Sequence, residues 1–310
     1  MRVKIIDIDN KYRSKKARGK LWPNVAAAKT SEHHKKRGDT VGFEIENPDL
    51  TYIFCIFEKN RKFAIEEKNR VVGDVEIGGS GISLDYNLCY EIESSKPDYS
   101  LYPFQEFSMG FTSRGCFRIE CSDYCIVRKK EGVLRRSQHI KEFHDFRFKS
   151  CVLLDNNILG IPDWFFENTN WAIENKVRLD ITQGLDIRLL TDEISDQLKK
   201  VKFVDQQIKF AWDSIAIEEQ VTTGISMLKD HGFNLHRNIL FYVLCGRAGV
   251  PFCEDVYRCM KLRDLDVRAF AMPFRKTPLI AALARWSSRP EAYWSHPFFR
   301  YDRMPKGSVI

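Results

Sequence analysis

The chain has 310 residues, 44% hydrophobic and 29% charged, with a formal net charge of +7. This composition excludes a disordered or low-complexity protein and suffices for two domains, each with its own core. The positive balance permits contact with nucleic acid or another polyanion, with denser basic stretches at 11–20 and 128–136, but does not specify one.

The opening "MRVKIIDIDNKYRSKK" lacks the apolar core and small-residue cleavage site of a signal peptide, which predicts a cytoplasmic location. Apolar runs such as "TYIFCIF" are strand-sized, so no membrane partner is expected. In the cytoplasm nine cysteines are not expected to form disulfides, and clustered ones point to metal or redox chemistry.

In chain order, "VKIIDID" (3–9) reads as a strand, and residues 24–37 as a helix closed by Gly38. "TVGFEI" and "TYIFCIF" are strand-like, 59–70 is helix-compatible, and "DVEIGGSGI" is a strand entering a glycine-rich turn. Residues 1–84 thus predict a small Rossmann-like parallel sheet. The prolines and turn formers of "SSKPDYSLYPFQ" predict a linker over 85–106. Strands follow at 107–112, 151–155, 177–182, 208–212, 238–244 and 267–272. Helices are expected near 137–143 and at 162–175, 191–200, 216–231, 252–264 and 277–288. The fold class is therefore α/β, the Rossmann-like sheet being followed by a partial (β/α)6 TIM-like barrel over 107–290 and a tail over 291–310.

In such a barrel the chemistry sits at the carboxyl ends of the strands. There the sequence places a cysteine loop, then Asp155, Asn156 and Asn157, then Gln183, Asp186 and Arg188. Asp213-Ser214, Cys245-Gly246-Arg247 and Arg275-Lys276 follow the later strands. Polar groups recurring at apolar strands' ends read as one shared site. The loop, "RGCFRIECSDYCIVRKKEG", holds Cys116, Cys121 and Cys125 as C-x4-C-x3-C. Zinc usually takes four ligands, and no fourth stands at knuckle spacing; His139 and His144 are the nearest histidines. A [4Fe–4S] cluster held by three thiolates leaves one iron open, and three unligated thiols are the remaining alternative.

"MGFTSRGCFRIECSDYCIVRKKEG" resembles the cluster-binding segment of radical S-adenosylmethionine (SAM) enzymes, which matches at Thr112, Arg114, Gly115, Tyr124, Ile126, Val127, Glu131 and Gly132. "QHIKEFHD", "VLLDNN", "DITQGLDIRLLTDEI", "FAWDSI" and "LARWSSRP" look like a bacterial and phage subgroup joining a cobalamin-binding-like domain to a radical SAM barrel. The family spacing is C-x3-C-x2-C, so each gap here has one extra residue, adding up to about 3.5 Å of reach. The loop after the fifth strand also departs from the subgroup; Cys245, Cys253 and Cys259 read as core or incidental thiols.

The resemblance implies that Cys116, Cys121 and Cys125 hold a [4Fe–4S] cluster whose open iron chelates SAM. It implies reductive SAM cleavage and hydrogen abstraction from a substrate that the sequence does not identify (nucleic acid, nucleoside or peptide). An electron donor such as flavodoxin or ferredoxin is implied as partner. It assigns the SAM contacts to Tyr124, Asp155, Asn156, Asn157, Gln183, Asp186, Arg188 and Asp213. "EIGGSGI" resembles the glycine-rich strand end of cobalamin-binding domains, but the D-x-H-x-x-G motif is absent and His33-His34 read as the polar face of a helix. A substrate or partner domain without cobalamin is expected. The alternatives are a non-catalytic descendant that has lost its cluster and a zinc-stabilised binding protein.

Overall fold

A computed structural model describes residues 1–13 and 22–301. Residues 14–20 of the first basic stretch and the tail from 302 lie outside the described residues.

The first unit is built on four strands: β1 (Arg2–Asp7), β2 (Thr40–Gly42), β3 (Leu50–Phe54) and β4 (Asp74–Gly78). They pair in parallel in the order β2-β1-β3-β4. The helices are α1 (Ile8–Lys11), α2 (Val25–Lys36) and α3 (Arg61–Arg70). Asn24 starts α2 by accepting the amides of Ala26 and Ala27, and Gly38, at φ +83°, ends it. Both sheet faces are covered, because alternate residues point oppositely. Val3, Ile5, Tyr52 and Phe54 meet Ala27 and Ala28 of α2, while Ile6, Ile53 and Cys55 meet Ala64 of α3.

One expectation changes here. His34 is not on a polar helix face; it is 4% exposed, with Asp39 2.7 Å from Nδ1 and the Tyr52 hydroxyl 3.2 Å from Nε2. The glycines after β4 have a packing reason of their own. Gly79 sits at φ +104°, where a Cβ would strike the Cys55 carbonyl.

The segment 85–106, expected as a linker, packs into both units. It contains α4 (Tyr90–Glu93) and buries Ile92, Leu101 and Tyr102 in the core under the first sheet. The Tyr102 hydroxyl donates to Asp7 at 2.7 Å, and that of Tyr99 donates to the Phe143 carbonyl at 2.6 Å.

The second unit runs β5 (Ser108–Gly110), β6 (Ser113–Arg114), α5 (Val127–Glu131), β7 (Arg135–Arg136), α6 (Ile140–Phe143), β8 (Ser150–Leu153) and α7 (Pro162–Glu174). It continues β9 (Arg178–Ile181), α8 (Asp192–Lys200), β10 (Ile208–Ala211), α9 (Glu218–Asp230), α10 (Leu235–Asn238) and β11 (Ile239–Cys245). The last elements are α11 (Phe252–Asp264), β12 (Arg268–Pro273), α12 (Pro278–Ser287) and α13 (Pro290–Ser295). Every strand and helix expected from 107 onward is present. Two three-stranded parallel sheets form, β5-β8-β9 and β10-β11-β12, and one hydrophobic core serves both. Parallel bridges at Leu179–Phe203 and Leu185–Phe210 continue the hydrogen bonding from one sheet towards the other. No helix among the described residues is long and apolar enough to cross a membrane.

Candidate functional site

The cysteine loop leaves the sheet through a closed neck. Beyond β5 the chain turns at Thr112-Ser113, and Asp155, just past β8, holds that turn. Its carboxylate accepts from the Thr112 amide (3.0 Å), the Thr112 hydroxyl (2.7 Å), the Ser113 hydroxyl (2.6 Å) and the Ser113 amide. Asp155 is 1% exposed, and burial raises its pKa against the lowering effect of these bonds. The short antiparallel pair β6–β7 then zips the neck, Ser113 opposite Arg136 and Arg114 opposite Arg135. Gly115 lies at φ +80°, with no room for a Cβ beside the Val133 carbonyl.

Inside the loop, the amides of Tyr124 and Cys125 donate to the Cys121 carbonyl at 3.1 and 2.8 Å. This is one helical turn, and the C-x3-C spacing puts Cys121 and Cys125 on one face of it. The Cys121 thiol is pushed up to about 11 by burial and then by its Cys125 and Cys116 neighbours. Cys116 Sγ accepts from the Arg118 amide (3.4 Å) and from Asn157 Nδ2 (3.6 Å). All three cysteines are free and half-buried.

Side chains carry the loop across the strand ends. Asn157, after β8, reaches Cys116. Asp186, after β9, takes Arg118 Nε at 2.9 Å and Arg188 Nε and Nη2 at 2.7 and 3.0 Å. Arg188 Nη1 returns to Glu120 of the loop at 3.0 Å. Burial raises the Asp186 pKa, but Arg188 and Arg118 outweigh it and hold the carboxyl below its ordinary range. After β11, Arg247 lies over the Tyr124 ring, 4.1 Å from its centroid. It also donates to the Asp213 carbonyl (2.9 Å) and Asp123 (3.2 Å). Asp213 Oδ1 accepts the Leu244 amide at 3.2 Å, and burial raises its carboxyl. Burial also pushes the Tyr124 phenol up.

Cys116, Cys121, Cys125, Tyr124, Asn157, Asp186, Arg188 and Asp213 are thereby brought to one mouth. Asp155 is in the layer beneath, with its carboxylate turned inward on the neck. Asn156 is half-buried and Gln183 is exposed, its amide 3.5 Å from the Thr182 hydroxyl. Arg118 and Glu120 were not among the expected site residues, whereas Arg247 was expected only by its place at the end of the fifth strand. The alternating charges between the first two cysteines were the available signal for the first pair.

Among the described residues, no group of three or more His, Cys, Asp or Glu side chains is arranged to hold a metal ion. A single ion needs its ligands around one point, whereas a cubane spans its corners. Three thiols on one necked loop, with N–H donors at one of them, are a donor set that fits a three-thiolate cluster. No family model and no curated protein matches the chain. Elsewhere, Cys245 and Cys259 are buried side by side, and their hydrogen bond and burial push the Cys245 thiol far up.

Proposed function

We propose that this chain is a cytoplasmic radical SAM enzyme of the partial (β/α)6 barrel class, with a [4Fe–4S] cluster held by Cys116, Cys121 and Cys125. The observation that carries the reading is the fastening of the three-cysteine loop across the strand ends, at Asn157, Asp186 and Arg247. Parallel α/β folds place their chemistry at those ends. Bound there, the cluster and SAM supply reductive cleavage of the sulfonium and hydrogen abstraction from substrate.

The chain's own residues bind and exclude water. Asn157 donates to the Cys116 sulfur and so orients that side chain. Asn156, half-buried beside it, has an amide suited to the amino group of SAM. Arg188 suits the carboxylate of SAM, which would take the place of Glu120 on its Nη1. Asp186 remains on Arg188 Nε and Nη2 and keeps the guanidinium oriented. Phe117, Ile119 and Ile126 of the loop expose apolar surface around the thiols, which suits exclusion of water and docking of an electron donor such as flavodoxin or ferredoxin. The first unit serves as a substrate or partner domain without cobalamin; its glycine turn is accounted for by the close approach of Cys55.

Iron and sulfide analysis after anaerobic reconstitution, with EPR of the reduced protein, tests the reading. About four iron and four sulfide per chain and an EPR signal shifted by SAM are expected. Equal iron in the Cys116→Ala, Cys121→Ala and Cys125→Ala variants would overturn it. A second reading, a binding module descended from such enzymes, is favoured by the pairing of Arg188 with Asp186 and Glu120. Colourless protein that leaves SAM intact would select it.

A further inference from the structure

The opposite pole of the second unit, at the amino ends of β9 and β10, holds a cavity of about 530 Å3. Arg178, Lys199 and Lys202 stand on its wall with one carboxylate, Asp205, and Phe203 and Phe233 close its apolar side. Leu179 pairs in parallel with Phe203, and its amide donates to the Lys202 carbonyl at 2.9 Å. That register sets Arg178 directly beside Lys202. Among the described residues no carboxylate forms an ion pair with either one. Lys199 is fixed by the Gly232 carbonyl and by the Phe233 ring, 4.7 Å from its ammonium. The rim is unusual too, since Asp205 and Gln206 both adopt left-handed backbone, at φ 53° and 56°.

Like charges abreast on adjacent strands repel, and a cation held on the wall of a concave site adds to the same field. The amino-end face of such a fold ordinarily serves stability. Two unpaired register-neighbour cations do not serve it, whereas an anion between them would. The apolar side excludes ligands that are charge alone, and the volume is that of a small-molecule site.

We propose that this cavity binds a phosphorylated ligand, its phosphates held by Arg178, Lys202 and Lys199 and its apolar body against the Phe203–Phe233 side. The site is separate from the cysteine loop and does not depend on the function proposed for it. The phosphates could belong to a free nucleotide or to a single-stranded polynucleotide, and the probes distinguish the two.

Isothermal titration of the full chain with ADP, pyrophosphate and a single-stranded 12-mer oligonucleotide tests this. Expected is one-to-one binding of ADP that weakens at least tenfold in Arg178→Gln/Lys202→Gln and strengthens in Asp205→Asn. The pair Lys62→Gln/Lys68→Gln removes the same charge from the exposed face of α3 in the first unit and leaves the affinity within about twofold. Binding of the oligonucleotide alone, with the same variant pattern, would assign the phosphates to a polymer. Absence of binding by both ADP and the oligonucleotide, whether or not pyrophosphate binds, or equal weakening by the two double variants, would overturn the proposal. Unchanged melting temperatures show that the variants are folded; should Arg178→Gln/Lys202→Gln melt early, the rise in affinity of Asp205→Asn decides instead.

Discussion

Arg258 is fully buried, on the inner face of α11. Its guanidinium donates to the Trp212 carbonyl (2.6 Å), the Leu244 carbonyl (3.0 Å) and Asp255 (2.6 Å), and Asp255 accepts the Gly246 amide at 2.8 Å. The Arg258–Asp255 pair therefore fixes the ends of β10 and β11, from which Asp213 and Arg247 reach the cysteine loop. Removing Asp255 leaves the buried guanidinium with Glu254, 3.9 Å from its Nε, as its remaining carboxylate, so Asp255→Ala is expected to cost about 3 kcal/mol in urea unfolding. A loss below about 1 kcal/mol would show that water reaches Arg258 and that the strand ends are not fixed this way. Asp155 behaves alike at the other side of the mouth: Asp155→Ala leaves four donors without their acceptor and is expected to cost about 3 kcal/mol. At this scale the sequence was only partly legible. Residue type and strand-end position picked out Asp155, Asp186 and Arg188. Whether a carboxylate faces a ligand or a neighbouring turn depends on contacts 43 residues apart for Asp155 and 68 for Asp186, which local pattern does not encode.

The elements were more legible, because they follow from short-range rules. The strand "NILFYVL" is apolar almost throughout and becomes β11, buried between β10 and β12. The charge order of α8 matches its dipole, Asp192 and Glu193 in the first turn and Lys199 and Lys200 in the last, with Thr191 as cap. The segment 85–106 misled for a related reason. Its prolines and turn formers are those of a linker, yet Ile92, Leu101 and Tyr102 are spaced irregularly and pack as single anchors rather than as a periodic face. Two element-scale predictions follow from cross-element pairs. His231 caps α9 and lies 2.9 Å from Asp192 and 2.8 Å from Asp196 of α8. Those bonds raise its pKa above 6.5. A histidine stabilised as the cation contributes fully below its unfolded pKa, and the contribution fades as pH rises through the folded value. Stability should therefore decline from pH 6.5 upward more steeply in the parent than in His231→Gln; identical pH profiles would refute the pairing. The cysteine loop depends similarly on Arg247. Arg247→Ala removes the Asp123 and Tyr124 contacts and should speed tryptic cleavage after Arg118 severalfold under native conditions. An unchanged cleavage rate would mean that the links from Asn157, Asp186 and Arg188 hold the loop without Arg247.

At the scale of the whole molecule, the two units are joined by buried polar contacts rather than by a tether. Lys29 of α2 is 2% exposed, and its ammonium donates to the Glu93 carbonyl and lies 3.4 Å from the Glu93 carboxylate. Glu93 also pairs with Arg114 at 3.2 Å, and Arg114 with Glu131 at 3.1 Å. The chain of charge thus runs from a helix of the first sheet to the neck of the cysteine loop. Gln138 adds a bond to the Ser94 carbonyl at 2.9 Å, and Tyr99 one to the Phe143 carbonyl. Domains joined by a mobile linker unfold independently, whereas buried charges shared across a junction couple them. Calorimetry of the full chain should therefore show one transition. Glu93→Ala removes the carboxylate beside the buried Lys29 ammonium, which keeps its bond to the backbone carbonyl of residue 93, and frees Arg114 from one of its two partners; Glu93 is partly exposed, so the expected cost is roughly 1–3 kcal/mol. The variant should unfold at lower temperature with its first unit melting ahead of its second, splitting the single peak. Two peaks already present in the parent, or a variant peak that shifts without broadening, would show that the charge chain does not carry the coupling between the units.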